Sequence, residues 1–334
     1  DKTDPLEVAG LVVRDRATGR ISRTAARQPI ENLDDLPFPD FEALGFAEML
    51  EWPLPTSSLF TYYYDRPRIA PIIASRSCPY NCTFCFHPLG KKYRQRSLGS
   101  IFSEIDFMVK KYQANIIMVY DELFAEKKDR SRVVDFCTKM RQRNLKWIVQ
   151  LRVDLVDEEM LKLFKESGCI IISYGIESGC QTILDSMKKH ITVEQTEKAR
   201  EATQKAGIGM VGTILFGDPA ETQDTFFESF NWWMRMRHYR IPLTPFSVYP
   251  GSEMYEIAKR KGLISDEAAY MKIPYPIINN TSMSDNAFNA MMGMMEMGRR
   301  ELAFYPGLLV GAAFQEIDKF GRPLITVRVR CPHC

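Results

Sequence analysis

Three cysteines lie close together at Cys78, Cys82 and Cys85, in the spacing Cys-x₃-Cys-x₂-Cys. Thiolates at this spacing can hold one face of an iron–sulfur cube and leave the fourth iron open to a substrate. The alternatives are a structural zinc site and an electron-transfer cluster completed by a distant cysteine. Zinc fits poorly because its sites favour ligand pairs two residues apart and four closed positions. We therefore expect these three cysteines to ligate an open cluster.

The other cysteines have different surroundings. Cys137 and Cys169 lie in apolar patterns and are expected in the core. Cys331 and Cys334 form a Cys-x₂-Cys pair, which is either the start of a zinc ribbon continued beyond this sequence or a metal-free tail. Clustered cysteines without a secretion signal indicate metal binding in a reducing compartment, so we expect a cytoplasmic protein.

Composition narrows the class of protein. The 334 residues are 45% hydrophobic and 26% charged, which is typical of a globular chain. The net charge is +2 and the basic residues are dispersed, so the sequence gives no clear indication of nucleic-acid binding. No apolar run approaches the roughly 20 residues that span a bilayer, and we expect no membrane association.

The cysteine loop opens a repeating pattern of short apolar runs and amphipathic segments. Strands are predicted at 69–75, 116–120, 147–151, 170–174, 208–216 and 243–249. Helices are predicted at 100–112, 129–143, 157–166, 180–187, 193–206, 222–237 and 252–261. Six such units predict an α/β fold with parallel strands, and periodicity alone does not distinguish an open sheet from a partial barrel. In either case, ligands should lie at the carboxyl ends of the strands.

Both flanks of this repeat differ from it. Residues 1–68 are broken by prolines and are predicted to be an irregular linker. Residues 263–334 form an extension with a methionine-rich helix at 287–304. That helix either fills a core or presents an adaptable surface to a bulky partner or cofactor.

The motifs that end the predicted strands resemble, in order, those of the radical-SAM superfamily, and of its cobalamin-dependent subgroup in particular. The matching segments are Ser75-Arg-Ser-Cys-Pro-Tyr-Asn-Cys-Thr-Phe-Cys85, Tyr93-Arg-Gln-Arg-Ser97, Tyr120-Asp-Glu-Leu-Phe124, Gln150-Leu-Arg-Val-Asp154, Tyr174-Gly-Ile-Glu-Ser-Gly179 and Tyr249-Pro-Gly251. The resemblance implies a partial (β/α)6 TIM-like barrel over 69–262, with a helical C-terminal extension over 263–334. Residues 1–68 resemble the end of a cobalamin-binding domain and its linker, whereas the corrinoid motif Asp-x-His-x-x-Gly is absent.

The resemblance also implies cofactors and chemistry. A 4Fe–4S cluster would reduce S-adenosylmethionine (SAM) to methionine and a 5′-deoxyadenosyl radical, which removes a hydrogen atom from substrate. Cobalamin-dependent methylation of a small-molecule or peptide substrate is the expected activity. An electron donor such as flavodoxin or ferredoxin is the expected partner. A radical-SAM cyclase or methylthio-transferase, and a plain iron–sulfur electron carrier, remain as alternatives.

Further candidate residues are assigned to SAM by the same resemblance. Asp121 or Glu122 would bind its amino group, although the family carries a Gly-Gly-Glu-like motif there. Arg152 would pair with the SAM carboxylate, or simply with Asp154.

The remaining cofactor-binding candidates are Phe84, Glu177, Ser178 and Tyr249. Phe84 matches the aromatic residue before the last cysteine of the family motif. Glu177 and Ser178 are expected to contact the SAM ribose or methionine, or else to cap a loop. Tyr249 would offer backbone atoms to adenine. The sequence assigns no catalytic residue beyond these.

Overall fold

A computed structural model describes residues 4–53, 64–88, 90–236, 241–274, 276–303, 308–317 and 323–330. The strands in this part of the chain are β1 (Val12–Arg14), β2 (Ile21–Arg23), β3 (Ile69–Ile72), β4 (Ser75–Arg76), β5 (Arg94–Gln95), β6 (Ile116–Val119), β7 (Lys146–Leu151), β8 (Cys169–Glu177), β9 (Gly209–Phe216), β10 (Leu243–Pro245), β11 (Leu308–Ile317) and β12 (Pro323–Arg330). Its α-helices are α1 (Phe46–Met49), α2 (Leu98–Tyr112), α3 (Arg130–Arg143), α4 (Glu158–Glu166), α5 (Gln181–Ser186), α6 (Val193–Lys205), α7 (Gln223–Met236), α8 (Glu253–Arg260), α9 (Glu267–Tyr270) and α10 (Asp285–Ala303). None of the helices in these ranges has the length and apolar character needed to cross a bilayer.

Six of the strands form one parallel sheet in the order β10-β9-β8-β7-β6-β3. Each strand therefore lies beside the strand of this sheet that follows it in the chain, and α2, α3, α4, α6 and α7 lie in the connections. This arrangement confirms the predicted α/β fold with a partial (β/α)6 barrel. The carboxyl ends of all six strands lie at the same edge, where ligands bind in such folds.

Alternation along the strands separates two apolar layers. Ala70 and Ile72 of β3 and Ile117 of β6 join the large core that also contains Ile105 and Met108 of α2. The opposite face contributes a small separate cluster of Ile116, Ile148 and Ile170. The helices thus cover one face of the sheet, while the other face encloses the interior of the partial barrel.

Local sequence fixes where the helices begin and end. Ser97 and Asp157 cap α2 and α4, because their side chains accept hydrogen bonds from the backbone N of Ser100 and Met160 at 3.1 and 2.8 Å. Gly168 ends the turn after α4 with φ +92°, and a Cβ there would lie 2.2 Å from the carbonyl oxygen of Leu145. Only glycine fits this position without moving the backbone.

The structure differs from the sequence-based boundaries in several places. The first strand ends at Ile72, and Ser75–Arg76 instead pairs antiparallel with Arg94–Gln95. The fourth sheet strand runs on to Glu177, and the sixth stops at Pro245. At these points the strand ends are set by pairing with residues distant in the sequence, and the length of the apolar run does not predict them.

The flanks contain structure that the sequence analysis did not foresee. Residues 1–68 are not irregular throughout, since β1 and β2 form an antiparallel hairpin. The C-terminal extension is not helical throughout, since β11 and β12 form a second hairpin. Helix α10 buries Phe288, Met291 and Met295, which agrees with the core-filling interpretation of its methionines. Cys331 and Cys334 lie outside the described residues.

Candidate functional site

The loop that carries the three cysteines leaves β4 beside the carboxyl end of the sheet. Two neighbouring segments clamp its centre. The backbone N of Thr83 donates to the carbonyl of Met187 at 3.0 Å, and the carbonyl of Thr83 accepts from the backbone N of Met254 at 2.9 Å. A turn within the loop is closed by the backbone N of Cys85, which donates to the carbonyl of Cys82 at 3.1 Å. The loop is therefore shaped by the protein itself.

The three thiols lie within electrostatic reach of one another. Burial raises the pKa of each thiol, to about 12 for Cys85, and charge on Cys82 raises the pKa of both Cys78 and Cys85 further. Over the described ranges, no group of three or more His, Cys, Asp or Glu residues is arranged around a single metal ion. A cube differs from that case because each cysteine binds a different iron, so three thiols on one loop are a fitting donor set for it.

Asp121 and Glu122 follow β6 and have different surroundings. Asp121 is buried, its Oδ1 accepts from the backbone N of Ala74 at 2.7 Å, and burial raises its pKa to about 6. Glu122 is exposed, and its charge contributes to the raised pKa of Cys78. Asp121 therefore fastens β6 to the segment after β3, while the Glu122 carboxylate faces solvent near the cysteine loop.

Arg152 follows β7 and connects it to the cysteine loop. Its Nε donates to Asp154 Oδ1 at 2.9 Å and its Nη2 donates to the carbonyl of His190 at 3.1 Å. Its guanidinium carbon lies 3.9 Å from the centre of the Tyr80 ring. Tyr80 lies between Cys78 and Cys82 in the sequence of the loop. Arg152 thus pairs with Asp154, as one alternative predicted, and also stacks on the loop.

Glu177, at the end of β8, is held by a residue that the sequence analysis missed. Its Oε1 lies 2.6 Å from Lys189 Nζ, and the two side chains are only 10% and 9% exposed. A Cβ on Gly175 would lie 2.5 Å from Lys189 Nζ, so the glycine makes room for this pair. Burial raises the pKa of the Cys82 thiol, and the charge of Lys189 lowers it in part, so the ion pair lies near the thiols. Nothing in the local pattern around Lys189 marks it, because it follows a short helix in a run of basic residues.

Two further predicted cofactor-binding residues, Ser178 and Phe84, are packed against other side chains of the domain. The Ser178 hydroxyl oxygen lies 2.8 Å from that of Ser229 and accepts from the backbone N of Cys180 at 3.1 Å. These contacts favour the loop-capping alternative for Ser178. Phe84 packs 5.6 Å from the Phe246 ring.

Tyr249 is partly exposed and contacts a second aromatic residue of the cysteine loop. Its ring lies 6.3 Å from that of Phe86, which is also exposed. The carbonyl of Tyr249 accepts from the Ser252 hydroxyl at 2.7 Å. The two rings form an open apolar surface beside Cys85, and the sequence analysis had noted only one of them.

Comparison with known proteins matches the central part of the chain to one family. The sequence model of the radical SAM superfamily matches residues 72–232. An uncharacterized methyltransferase of Pyrococcus horikoshii is 26% identical over 75% of this chain and 52% of its own length. The anaerobic magnesium-protoporphyrin IX monomethyl ester cyclase of Rubrivivax gelatinosus is 28% identical over 71% of this chain and 41% of its own length.

A solved structure shares the fold. The cobalamin-dependent S-adenosylmethionine radical enzyme OxsB, with aqua-cobalamin bound, superposes with a TM-score of 0.59 and 20% identity. The match covers 92% of this chain and 43% of that protein. The chain thus spans about half the length, or less, of the proteins that it resembles.

Proposed function

Because residues 72–232 form a radical SAM domain, we propose that this chain binds a 4Fe–4S cluster through Cys78, Cys82 and Cys85 and cleaves SAM reductively. The observation that carries this proposal is the position of the three thiols on one clamped loop at the carboxyl edge of the parallel sheet. When bound, the reduced cluster supplies the electron that breaks a carbon–sulfur bond of SAM.

The surroundings of the thiols suit a cluster of net negative charge. Cysteines bind iron as thiolates, so each must lose its proton, and burial opposes that loss. Arg152 and Lys189 act in the opposite direction on Cys82. We infer that these two cations favour the thiolate state and the charge of the loaded loop.

Glu122 is our candidate for the SAM amino group. Its carboxylate is exposed near Cys78, whereas Asp121 is engaged by the backbone of Ala74. An exposed carboxylate can bind an ammonium group without breaking an existing contact. We assign Asp121 the separate task of fastening the strand end.

The other residues act on the remaining parts of SAM or on the loop. The Glu177–Lys189 pair offers both charges near Cys82, and we propose that it faces the ribose and methionine. Phe84, Phe86 and Tyr249 offer an apolar surface for adenine. Arg152 positions the loop through Tyr80.

We propose cobalamin-dependent methylation as the overall reaction, with a reductant such as flavodoxin or ferredoxin. A curated relative named as a methyltransferase and a cobalamin enzyme of the same fold support this proposal. A cyclase is the second candidate, because a relative of similar identity carries that name. Both reactions begin with the same cleavage of SAM.

The first experiment tests SAM cleavage. The chain is reconstituted anaerobically with iron and sulfide, reduced with dithionite and supplied with SAM, and 5′-deoxyadenosine is measured. Cys82→Ala should abolish the product and the SAM-dependent change in the EPR spectrum. Cys137→Ala is the matched control, because Cys137 is a buried core residue of α3. A fully loaded wild-type chain with an unchanged spectrum and no product would contradict the proposal.

A second measurement separates the two reactions without knowledge of the substrate. Cob(I)alamin is added with SAM, and S-adenosylhomocysteine and methylcobalamin are measured. Their formation supports methyl transfer. Formation of 5′-deoxyadenosine alone favours the cyclase candidate.

A further inference from the structure

A cavity of about 380 Å³ lies beside β3, at the free edge of the parallel sheet, and contains none of the three cysteines. It is enclosed between residues 33–49 and the segment from Pro71 to Arg76. Its apolar walls include Leu33, Phe38, Phe41, Leu44, Phe46 and Ile73. The volume falls within the range of about 300–1,000 Å³ that is typical of sites for small molecules.

The wall formed by residues 33–49 is fixed to the rest of the domain. Arg94 Nη1 donates to the carbonyl of Ile30 at 2.6 Å, and the backbone N of Ser97 donates to Asp34 Oδ1 at 2.9 Å. Further along, Phe46 packs edge-on against Tyr112 of α2 at 5.2 Å between ring centres. The cavity is therefore preformed, which reduces the entropy cost of binding a ligand.

Two of the three charged residues in the lining neutralise each other. Arg96 and Glu104 form a largely buried ion pair. Arg96 also donates to the carbonyl oxygens of Ile73 and Ser100, and its guanidinium lies 5.9 Å from the Phe38 ring centre. Because the donors of Arg96 are occupied and its charge is balanced by Glu104, this ion pair presents little net charge to a ligand.

Arg76 is the third charged residue and lacks such contacts. Across the ranges that the structure describes, its guanidinium has no ion pair and no hydrogen bond. It lines the cavity together with Ile73, which is 48% exposed. An arginine offers up to five donors in a planar fork that matches a carboxylate or a phosphate. In the part of the chain that the structure describes, the cavity thus combines an apolar interior with one positive charge that has no partner.

We propose that this cavity binds an amphipathic anion, whose apolar body fills the space between residues 33–49 and β3 and whose carboxylate or phosphate pairs with Arg76. The apolar lining excludes a strongly hydrated ligand, because burying polar groups without partners is costly. Among the described residues that line the cavity, Arg76 is the one cation without a partner, and its charge selects an anionic head group over a neutral or cationic one. Binding here needs neither SAM nor the cluster, so its outcome is separate from that of the SAM-cleavage experiment.

The test measures binding to the cluster-loaded chain by isothermal titration calorimetry with four probes of equal chain length: decanoate, decyl phosphate, decanol and decylamine. The expected order places the two anions at least about tenfold tighter than decanol, with decylamine weakest. The tighter of the two anions identifies the head group as carboxylate or phosphate, and either result supports the proposal. Equal affinity for decanoate, decyl phosphate and decanol would overturn it, and so would the absence of binding by both anions.

Variants assign the effect to Arg76. Arg76→Gln should weaken both anions about tenfold and leave decanol unchanged, and Arg76→Glu should make decylamine the tighter ligand. Arg235→Gln, an exposed arginine near the end of α7, is the matched control and should bind as the wild type does. Iron content confirms that the cysteine loop is intact in each variant. Unchanged probe preference in a folded, iron-loaded Arg76→Glu would contradict the role of Arg76.

Discussion

Lys189 Nζ lies 2.6 Å from Glu177 Oε1, and this buried ion pair joins the end of β8 to the turn after α5 close to Cys82. Glu177 has φ +64°, a backbone conformation that non-glycine residues seldom adopt. The pair offsets the cost of this conformation and of the buried carboxylate together. The ion pair therefore stabilises the backbone of the site and also contributes to the electrostatic environment of Cys82.

Removing one partner of this pair should be strongly destabilising. Lys189→Met leaves the Glu177 carboxylate buried without its cation, and we expect a loss of about 3–5 kcal/mol in the free energy of unfolding. Glu177→Gln with Lys189→Met should recover much of that loss, because no buried charge remains. Urea denaturation of the three proteins tests this. A double variant no more stable than Lys189→Met would contradict it.

Gly175→Ala should disturb the same pair by steric means. The new Cβ would lie 2.5 Å from Lys189 Nζ and 2.8 Å from Glu177 Oε1, so both charged groups must shift from their present positions. We expect a loss of about 1–3 kcal/mol in the free energy of unfolding and reduced yield of 5′-deoxyadenosine. Gly293→Ala is the control and should be neutral or slightly stabilising, because an added Cβ there would meet no atom within 4 Å apart from its chain neighbours and the backbone of its own helix. Equal effects of the two substitutions would argue against a role for Gly175.

Glu122 and Asp121 should respond differently to substitution. Glu122→Gln should raise the KM for SAM about tenfold, with the free energy of unfolding changed by less than about 0.5 kcal/mol because the residue is exposed. Asp121→Ala should instead destabilise by about 1–3 kcal/mol, since it leaves the backbone N of Ala74 unpaired. Kinetics and urea denaturation on both variants make the comparison. The reverse pattern would assign the SAM contact to Asp121.

Arg152 should control how firmly the cluster is held. Arg152→Ala removes the stack on Tyr80 and the hydrogen bond to the carbonyl of His190. A loss of about 1.4 kcal/mol corresponds to about tenfold faster removal of iron by a chelator. Arg130→Ala, which breaks exposed ion pairs with Asp157 and Glu159, should release iron at the wild-type rate. Equal rates for both variants would show that Arg152 does not restrain the loop.

Glu221 should give the stability a distinct dependence on pH. Burial raises the pKa of its carboxyl from 4.5 to about 7. The folded state therefore keeps a proton that the unfolded state releases, so the contribution to stability is complete below about pH 4.5 and is lost as pH rises through about 7. The loss is on the order of 3 kcal/mol. Asp218, whose pKa burial also raises, acts in the same direction.

Glu221→Gln should remove that contribution and leave the part due to Asp218. The variant should equal the wild type in the free energy of unfolding near pH 5 and exceed it near pH 8, as measured by urea denaturation. The exposed Glu48→Gln serves as control and should follow the wild-type curve. Parallel curves for Glu221→Gln and the wild type would contradict the buried, protonated state.

The sequence by itself determined the repeating units and the cysteine loop. Apolar runs at two-residue and helical spacing reflect burial on one side of each element, so Ile116–Val119 and Leu98–Tyr112 were foreseen within a few residues. The three cysteines are close in the chain, and their spacing alone limits which metal groups they can hold. The order of the motifs then placed them all at one edge of a parallel sheet.

Only the tertiary structure decided which polar side chains are available at that edge. Asp121 and Glu122 are neighbours in sequence, yet one is engaged by the backbone of Ala74 and the other is exposed. Lys189 carries no local pattern, and it meets Glu177 only because the turn after α5 folds back on β8. The same holds for Arg76, which has no ion pair or hydrogen bond within the described ranges and lines a cavity formed by residues 33–49 packing beside β3. Burial and pairing of charges depend on contacts between distant segments, and these are not encoded in the local periodicity of a chain.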